Sequence, residues 1–181
     1  KDGVNFESER FYLIYNNELG ELRNESERLI FEFVRDNPYA VFIYGDEDYF
    51  AVSGDSKEAD GNNAKHAFRF FKPCFSPETL ASFDYINAFA IRGDLLNEIT
   101  KKIEASEDNS ATLYELTVEA VATLMNEDRV KEICHIPAVL TSKAIEVSDK
   151  DLKDIDQTYK AAEILYPYFV KKELSLEGKI S

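Results

Sequence analysis

Val41-Phe42-Ile43-Tyr44 leads without a break into Gly45-Asp46-Glu47-Asp48, and this junction is the starting point for predicting the architecture of the chain. A continuous apolar run of this length is typical of a buried strand. The glycine and the three carboxylates that follow predict that the strand ends here, at a polar edge of a sheet. The edge is either part of a binding site or a solvated turn that only terminates the strand.

A second segment, Ala67 to Pro77, predicts another strand end close by in sequence. Its apolar run stops at Phe71, and Lys72-Pro73 turns the chain toward a helix. Ser76 is expected to cap that helix, and Pro77 loses no hydrogen bond at the first helical position. Two strand ends, one acidic and one carrying a lysine, predict the lip of a binding cleft in an α/β protein.

Length and composition limit the class of protein. The chain has 181 residues, of which 44% are hydrophobic, and this suffices for one domain with a substantial core. Its 21 Lys and Arg against 35 Asp and Glu give a net charge of −14. That balance argues against nucleic acid as a partner, because phosphate contacts need clustered basic residues. No apolar run approaches the roughly 20 residues of a transmembrane segment.

Two features of the sequence favour a cytoplasmic location. No signal peptide is visible at Lys1-Asp2-Gly3-Val4. Cys74 and Cys134 lack the spacing of a metal site, and we expect both to be buried free thiols in a reducing compartment.

The other elements are predicted from periodicity. Short links between the first strand, the first helix and the next strand imply a right-handed parallel crossover, which would bring Glu18 and Asp46 to one edge of the sheet. The remaining strands are predicted at Phe11–Tyr15, Tyr49–Val52, Ile86–Ile91, Val130–Ile136 and Ala138–Thr141, and the helices at Glu25–Asp36, Pro77–Phe83, Asp94–Lys102 and Ala111–Met125.

The C-terminal residues predict an amphipathic helix. Ser148 with Asp151 resembles a capping box, and apolar residues recur at intervals of three and four up to Phe169. We therefore divide the chain into an α/β domain at 1–147 and a helical extension at 148–181. The extension either packs on the domain or forms the seam of a homodimer.

Six short motifs occur in order along the chain. Together they resemble the second half of family-two glycosyltransferases of the GT-A fold, which build bacterial surface polysaccharides, and the resemblance extends over Phe11 to Lys143. The motifs are Tyr44-Gly45-Asp46-Glu47-Asp48, Phe71-Lys72-Pro73, Ser76-Pro77-Glu78-Thr79-Leu80, the run from Asp84-Tyr85-Ile86 to Arg92, Tyr114-Glu115-Leu116, and His135-Ile136-Pro137-Ala138-Val139-Leu140.

The resemblance implies both a fold and an activity. The expected fold is α/β, a partial GT-A-like mixed sheet of the nucleotide-diphospho-sugar transferase type, flanked by helices. The expected activity is of the hexosyltransferase type, in which a sugar passes from a nucleotide-sugar donor to a glycan or lipid-linked acceptor. It would take place in the cytoplasm, including the inner face of the membrane. In this family a carboxylate deprotonates the acceptor, and Mg²⁺ or Mn²⁺ stabilises the leaving diphosphate.

Three kinds of residue are candidates for binding substrate. Carboxylates can contact sugar or ribose hydroxyls, cations can neutralise a diphosphate or a lipid-linked acceptor, and aromatic rings can stack on a sugar. For the cations, the alternative is pairing with nearby carboxylates. The candidates are Asp46, Glu47 and Asp48, then Lys72 and Arg92, then Tyr44, Tyr49 and Tyr85.

Two chemical motifs of the family are altered in this chain. Tyr15-Asn16-Asn17 stands where the family has its metal-binding Asp-x-Asp, so Asn17 and the following Glu18 remain as candidate ligands for Mg²⁺ or Mn²⁺. Thr112-Leu113 stands where the family has its catalytic base, and an aliphatic side chain cannot accept a proton. The nearest carboxylates that can substitute are Glu107 and Asp108.

We therefore expect the isolated chain to be inactive, because both motifs are altered and the family's nucleotide-binding half does not precede Phe11. Two functions stay open: part of a glycosyltransferase that needs residues outside this chain, or a non-catalytic relative that binds a glycan or a protein. A third possibility is that the resemblance is only architectural and the chain is an unrelated α/β domain. His135 is expected to be a core histidine with a backbone partner, with metal ligation as the alternative.

Overall fold

The computed structural model describes residues 5–16, 21–52, 65–105 and 111–146. The predicted extension at 148–181 lies outside these residues, and so does its proposed role as a dimer seam. Asn17, Glu18, Glu107 and Asp108 lie outside them as well.

The described residues form an α/β domain, which confirms the predicted class. Among the helices that the structure describes, none combines the length and apolar character needed to cross a membrane. The strands are β1 Phe11–Tyr15, β2 Glu21–Leu22, β3 Phe42–Val52, β4 Lys65–Phe70, β5 Ala88–Arg92 and β6 Ile133–Glu146, and the helices are α1 Ser26–Asp36, α2 Pro77–Ser82, α3 Gly93–Glu104 and α4 Leu113–Asn126.

These strands form one mixed sheet in the order β1-β5-β3-β6-β2, and β4 pairs with β3 outside that path. β5 lies between β1 and β3 and is antiparallel to both. β1 and β3 therefore run parallel, as the predicted crossover requires, but they are not neighbours. β6 runs parallel to β3 along the whole of its length.

β3 is a single strand of eleven residues, which corrects the strand end predicted at Gly45. The three carboxylates lie inside the strand and are 3%, 1% and 0% exposed at Asp46, Glu47 and Asp48. The alternative prediction, a solvated turn that terminates the strand, is therefore also wrong. Three consecutive carboxylates normally indicate a solvent-exposed segment. Here, partners from other elements allow the strand to continue through the protein interior.

β6 likewise runs unbroken through Pro137, where two short strands were predicted. Opposite Gly45 stands Ile136, and opposite Glu47 stands Thr141, so β6 uses five residue steps where β3 uses two. Pro137 falls in this bulged stretch, where the strand needs no amide donor from it.

The bulge brings β6 very close to Gly45. A Cβ at this position would lie 2.5 Å from Leu140 Cγ and 2.9 Å from the Ala138 carbonyl oxygen. Glycine is therefore required by the close approach of the two strands.

Side chains alternate across the sheet and form a core on each face. Phe42 and Tyr44 pack with α3 and α4 on one face, whereas Ile43 packs with Ile30 of α1 on the other. The predicted cap of α2 is confirmed, since the Ser76 hydroxyl accepts the Thr79 amide. Of the cysteines that the sequence predicted to be buried, Cys134 is buried but Cys74 is exposed, in the turn after Pro73.

Candidate functional site

Each of the three carboxylates in the middle of β3 faces a different basic group. Burying a charge is costly unless a partner compensates it, and here the partners come from three separate parts of the chain. The pairs are Asp46 with His135, Glu47 with Lys72, and Asp48 with Arg23.

Asp46 connects β3 to β6 and to the segment after β4. Its Oδ1 lies 2.8 Å from His135 Nε2 and accepts the backbone amide of Lys72 at 2.9 Å. The imidazole stacks on the Tyr44 ring, with centroids 5.0 Å apart. The predicted backbone partner of His135 is thus wrong, because the parallel pairing places His135 opposite Tyr44, within reach of a β3 carboxylate.

Glu47 and Lys72 form a buried ion pair, with side chains 2% and 0% exposed. The other carboxylate oxygen of Glu47 accepts the Tyr49 hydroxyl at 2.6 Å and the Asn87 amide at 3.1 Å. Burial opposes the charged form of Glu47, but the Lys72 ammonium and these hydrogen bonds outweigh it and hold the pKa below its ordinary value.

Three half-buried polar residues, Tyr49, Asp84 and Asn87, interact with this ion pair. Burial, together with the charge of Glu47, raises the pKa of the Tyr49 phenol, so the hydroxyl stays protonated and donates. Asp84 acts electrostatically on both Tyr49 and Lys72. We call Glu47, Tyr49, Lys72, Asp84 and Asn87 the Glu47 cluster. Its accessible donors and acceptors are of the kind that bind hydroxyl groups.

The structure does not bring Arg92 to this cluster. Because β5 is antiparallel to β3, Arg92 lies at the start of β3, where its amide donates to the Val41 carbonyl. Asp46 lies five residue steps after Val41, which corresponds to about 16 Å along the strand. The Arg92 guanidinium instead forms two hydrogen bonds, of 2.8 and 2.7 Å, with Asp94.

Two of the three aromatic candidates are core residues. Tyr44 and Tyr85 are both 0% exposed, and their rings pack edge to face with centroids 5.9 Å apart. Neither presents a face to a sugar, because both rings lie on the side of the sheet that the helices cover. Tyr49 alone of these three is partly accessible.

The described carboxylates do not fit a Mg²⁺ or Mn²⁺ site. Asp46, Glu47 and Asp48 face cationic or N–H groups instead of converging on a common point, and a divalent cation needs several oxygen ligands. Within the described ranges no group of three His, Cys, Asp or Glu residues could hold a metal.

Thr112, at the position that the resemblance assigns to a catalytic base, has a structural role here. The Thr112 hydroxyl accepts the Glu115 amide at 3.2 Å, and the Glu115 carboxylate accepts the Thr112 amide at 2.7 Å. This reciprocal pair is a capping box at the start of α4.

Sequence reasoning missed Arg23 and Asn87. Asn87 could have been identified from the sequence, because it is a polar residue inside the apolar run Ile86–Ile91. Arg23 could not, since a basic residue before a helix is ordinary on any surface. Comparison of the chain with models of known protein families found no match, and comparison with curated proteins found none either.

Proposed function

We propose that this chain is a glycosyltransferase-like domain of the GT-A type, in which the Glu47 cluster binds hydroxyl groups of a sugar. The proposed class of reaction is transfer of a hexose from a nucleotide sugar to a glycan or lipid-linked acceptor.

The observation that carries the proposal is direct contact among motifs that are distant in sequence. The Tyr44 hydroxyl donates to the Pro73 carbonyl at 2.8 Å, and the Tyr114 hydroxyl donates to the Leu80 carbonyl at 2.7 Å. Asp46 bonds to His135, 89 residues away. The parts of one binding site must lie together in space, and these contacts show that the motifs meet that condition.

The chemistry of the cluster favours binding over proton transfer. A catalytic base works best when its pKa lies near the ambient pH, whereas the pKa of Glu47 is held below its ordinary value. Lys72 is already paired with Glu47. The cluster also contains the half-buried Tyr49, Asp84 and Asn87, whose hydroxyl, carboxylate and amide groups are of the kinds that contact sugar hydroxyls.

A non-catalytic glycan-binding module is the second candidate. It is favoured by Thr112, which caps α4 at the position where the family has its base, and by the basic partners of all three β3 carboxylates. In this case the site would bind a sugar without transferring it.

Calorimetric titration tests both candidates on the same protein. The probes are a panel of UDP-sugars with and without MnCl₂, and a panel of bacterial surface oligosaccharides. Tyr49→Phe is expected to weaken sugar binding at least several-fold, and Tyr39→Phe, at an exposed tyrosine on another part of the surface, serves as the matched control. Oligosaccharide binding without nucleotide-sugar binding supports the second candidate. If the protein binds neither panel, both candidate functions are contradicted.

A further inference from the structure

An open apolar groove lies between α1 and the β1 side of the sheet. Its volume is about 400 Å³. The apolar lining residues are Phe11, Leu13, Ile30, Phe31, Val34 and Ala90.

Phe31 leaves a large apolar surface exposed in this groove. It is 69% exposed, although it lies on the same side of α1 as Glu27 and Val34, which also line the groove. An exposed aromatic ring beside an apolar groove provides apolar area that a bound partner can remove from water.

β1 also forms an open edge of the sheet beside the groove. Among the described strands it pairs only with β5. Its sequence, Phe11-Tyr12-Leu13-Ile14-Tyr15, has none of the charged residues or prolines that usually protect an edge from further pairing. As far as the described residues show, the outer edge of β1 therefore offers backbone hydrogen bonds next to an apolar surface.

The charge of the groove restricts the occupant. Its two charged lining residues, Glu9 and Glu27, are both acidic and exposed, and the whole chain carries a net charge of −14. A second copy of the chain would bring like charges together across the interface, which is unfavourable. The charge thus favours a basic partner over self-association.

We propose that the groove and the outer edge of β1 bind an extended, basic polypeptide segment of a partner protein, which adds a strand to the sheet. Alternate apolar side chains of the segment would lie on the same face as Phe11 and Leu13 and cover Phe31. Flanking Lys or Arg residues would pair with Glu9 and Glu27. This surface shares no residue with the Glu47 cluster, so the proposal does not depend on the proposed sugar binding.

The probe is a synthetic peptide of about ten residues, long enough for an average strand, with alternating leucine and threonine and two lysines at each end. A second peptide has glutamates in place of the lysines. We expect the wild-type chain to bind the lysine peptide at least tenfold more tightly. Glu9→Lys together with Glu27→Lys is expected to reverse that preference.

Phe31→Ser tests the apolar contact without removing a buried residue. It is expected to weaken binding of the lysine peptide by at least tenfold, because the bound peptide would otherwise bury the exposed phenyl ring. Tyr39→Ser, at an exposed aromatic residue that does not line the groove, is the matched control and is expected to leave binding unchanged.

Amide hydrogen exchange locates the added strand. Binding of the lysine peptide is expected to slow exchange across Phe11–Tyr15. Any of three results would overturn the proposal. Exchange across Phe11–Tyr15 could stay unchanged, Phe31→Ser and Tyr39→Ser could lose affinity equally, or the charge reversals could leave the peptide preference intact. Concentration-dependent dimerisation that Phe31→Ser abolishes would overturn it too, because a second copy would then occupy the groove.

Discussion

Lys72→Met removes the charge of a fully buried ammonium while keeping an unbranched aliphatic side chain. The side chains of Lys72 and its partner Glu47 are 0% and 2% exposed, and breaking one partner of a buried pair costs about 3–5 kcal/mol. Glu47 would keep its bonds from Tyr49 and Asn87, each worth about 1.5–3 kcal/mol to a charged acceptor. We therefore expect a loss near the lower limit, about 3 kcal/mol.

A double-mutant cycle separates the pair from its surroundings. Glu47→Gln alone leaves the Lys72 ammonium buried, with Asp84 and Asp46 as the other nearby carboxylates. The double variant leaves no uncompensated charge in the pair, so its loss is expected to be smaller than the sum of the single losses by about 2 kcal/mol. Urea unfolding followed by far-ultraviolet circular dichroism measures each free energy of unfolding, since the chain contains no tryptophan.

Lys101→Met is the matched control, because Lys101 is exposed on α3 and surface changes usually stay within about 0.5 kcal/mol. If Lys72→Met costs no more than Lys101→Met, or if the single losses add in the double variant, the buried pair does not stabilise the fold. Lys72 would then be available for a ligand.

The remaining predictions concern the bulge, the histidine and acid stability. Gly45→Ala is expected to lower the free energy of unfolding by about 1–3 kcal/mol, because the added Cβ would lie 2.5 Å from Leu140 Cγ. In urea unfolding, Leu140→Ala should cost less in the Gly45→Ala background than in the wild type. Losses that simply add would contradict this explanation. His135→Phe keeps an aromatic ring but loses the hydrogen bond to Asp46, so we expect it to lower the free energy of unfolding by about 1–3 kcal/mol. His135→Gln is expected to cost less, because its amide can still donate to Asp46. Equal losses in the two variants would count against a stabilising hydrogen bond. Because the pKa of Glu47 is lowered from its ordinary 4.5 on folding, its contribution to stability is complete above that value and is lost as the pH falls through the lowered folded value. The difference in Tm between wild type and Glu47→Gln should accordingly shrink under acidic conditions, and a constant difference down to strongly acidic pH would refute this assignment.

Local sequence patterns predicted most of the elements. The start of α2 was correct because Ser76 and Pro77 act on their immediate neighbours. α4 was predicted within about two residues because its apolar spacing extends over several turns. Such signals depend on residues a few positions apart, and they hold whatever the rest of the chain does.

The course of β3 could not be predicted in this way. The strand continues through Asp46, Glu47 and Asp48 because each meets a partner 25 or 89 residues away in sequence. The position of Arg92 could not be predicted for a related reason. The sequence shows that a strand ends there but not in which direction that strand runs, and the antiparallel pairing of β5 moves Arg92 to the other end of β3.

The bulged stretch of β6 has a consequence for motion. Between the Ile136 and Thr141 registers the regular ladder with β3 is interrupted, so the two strands are joined by two separate blocks of hydrogen bonds. Blocks of this kind can open independently and with different free energies. Asp46 and His135 lie at the joint between them, and their bond therefore couples the opening of one block to that of the other.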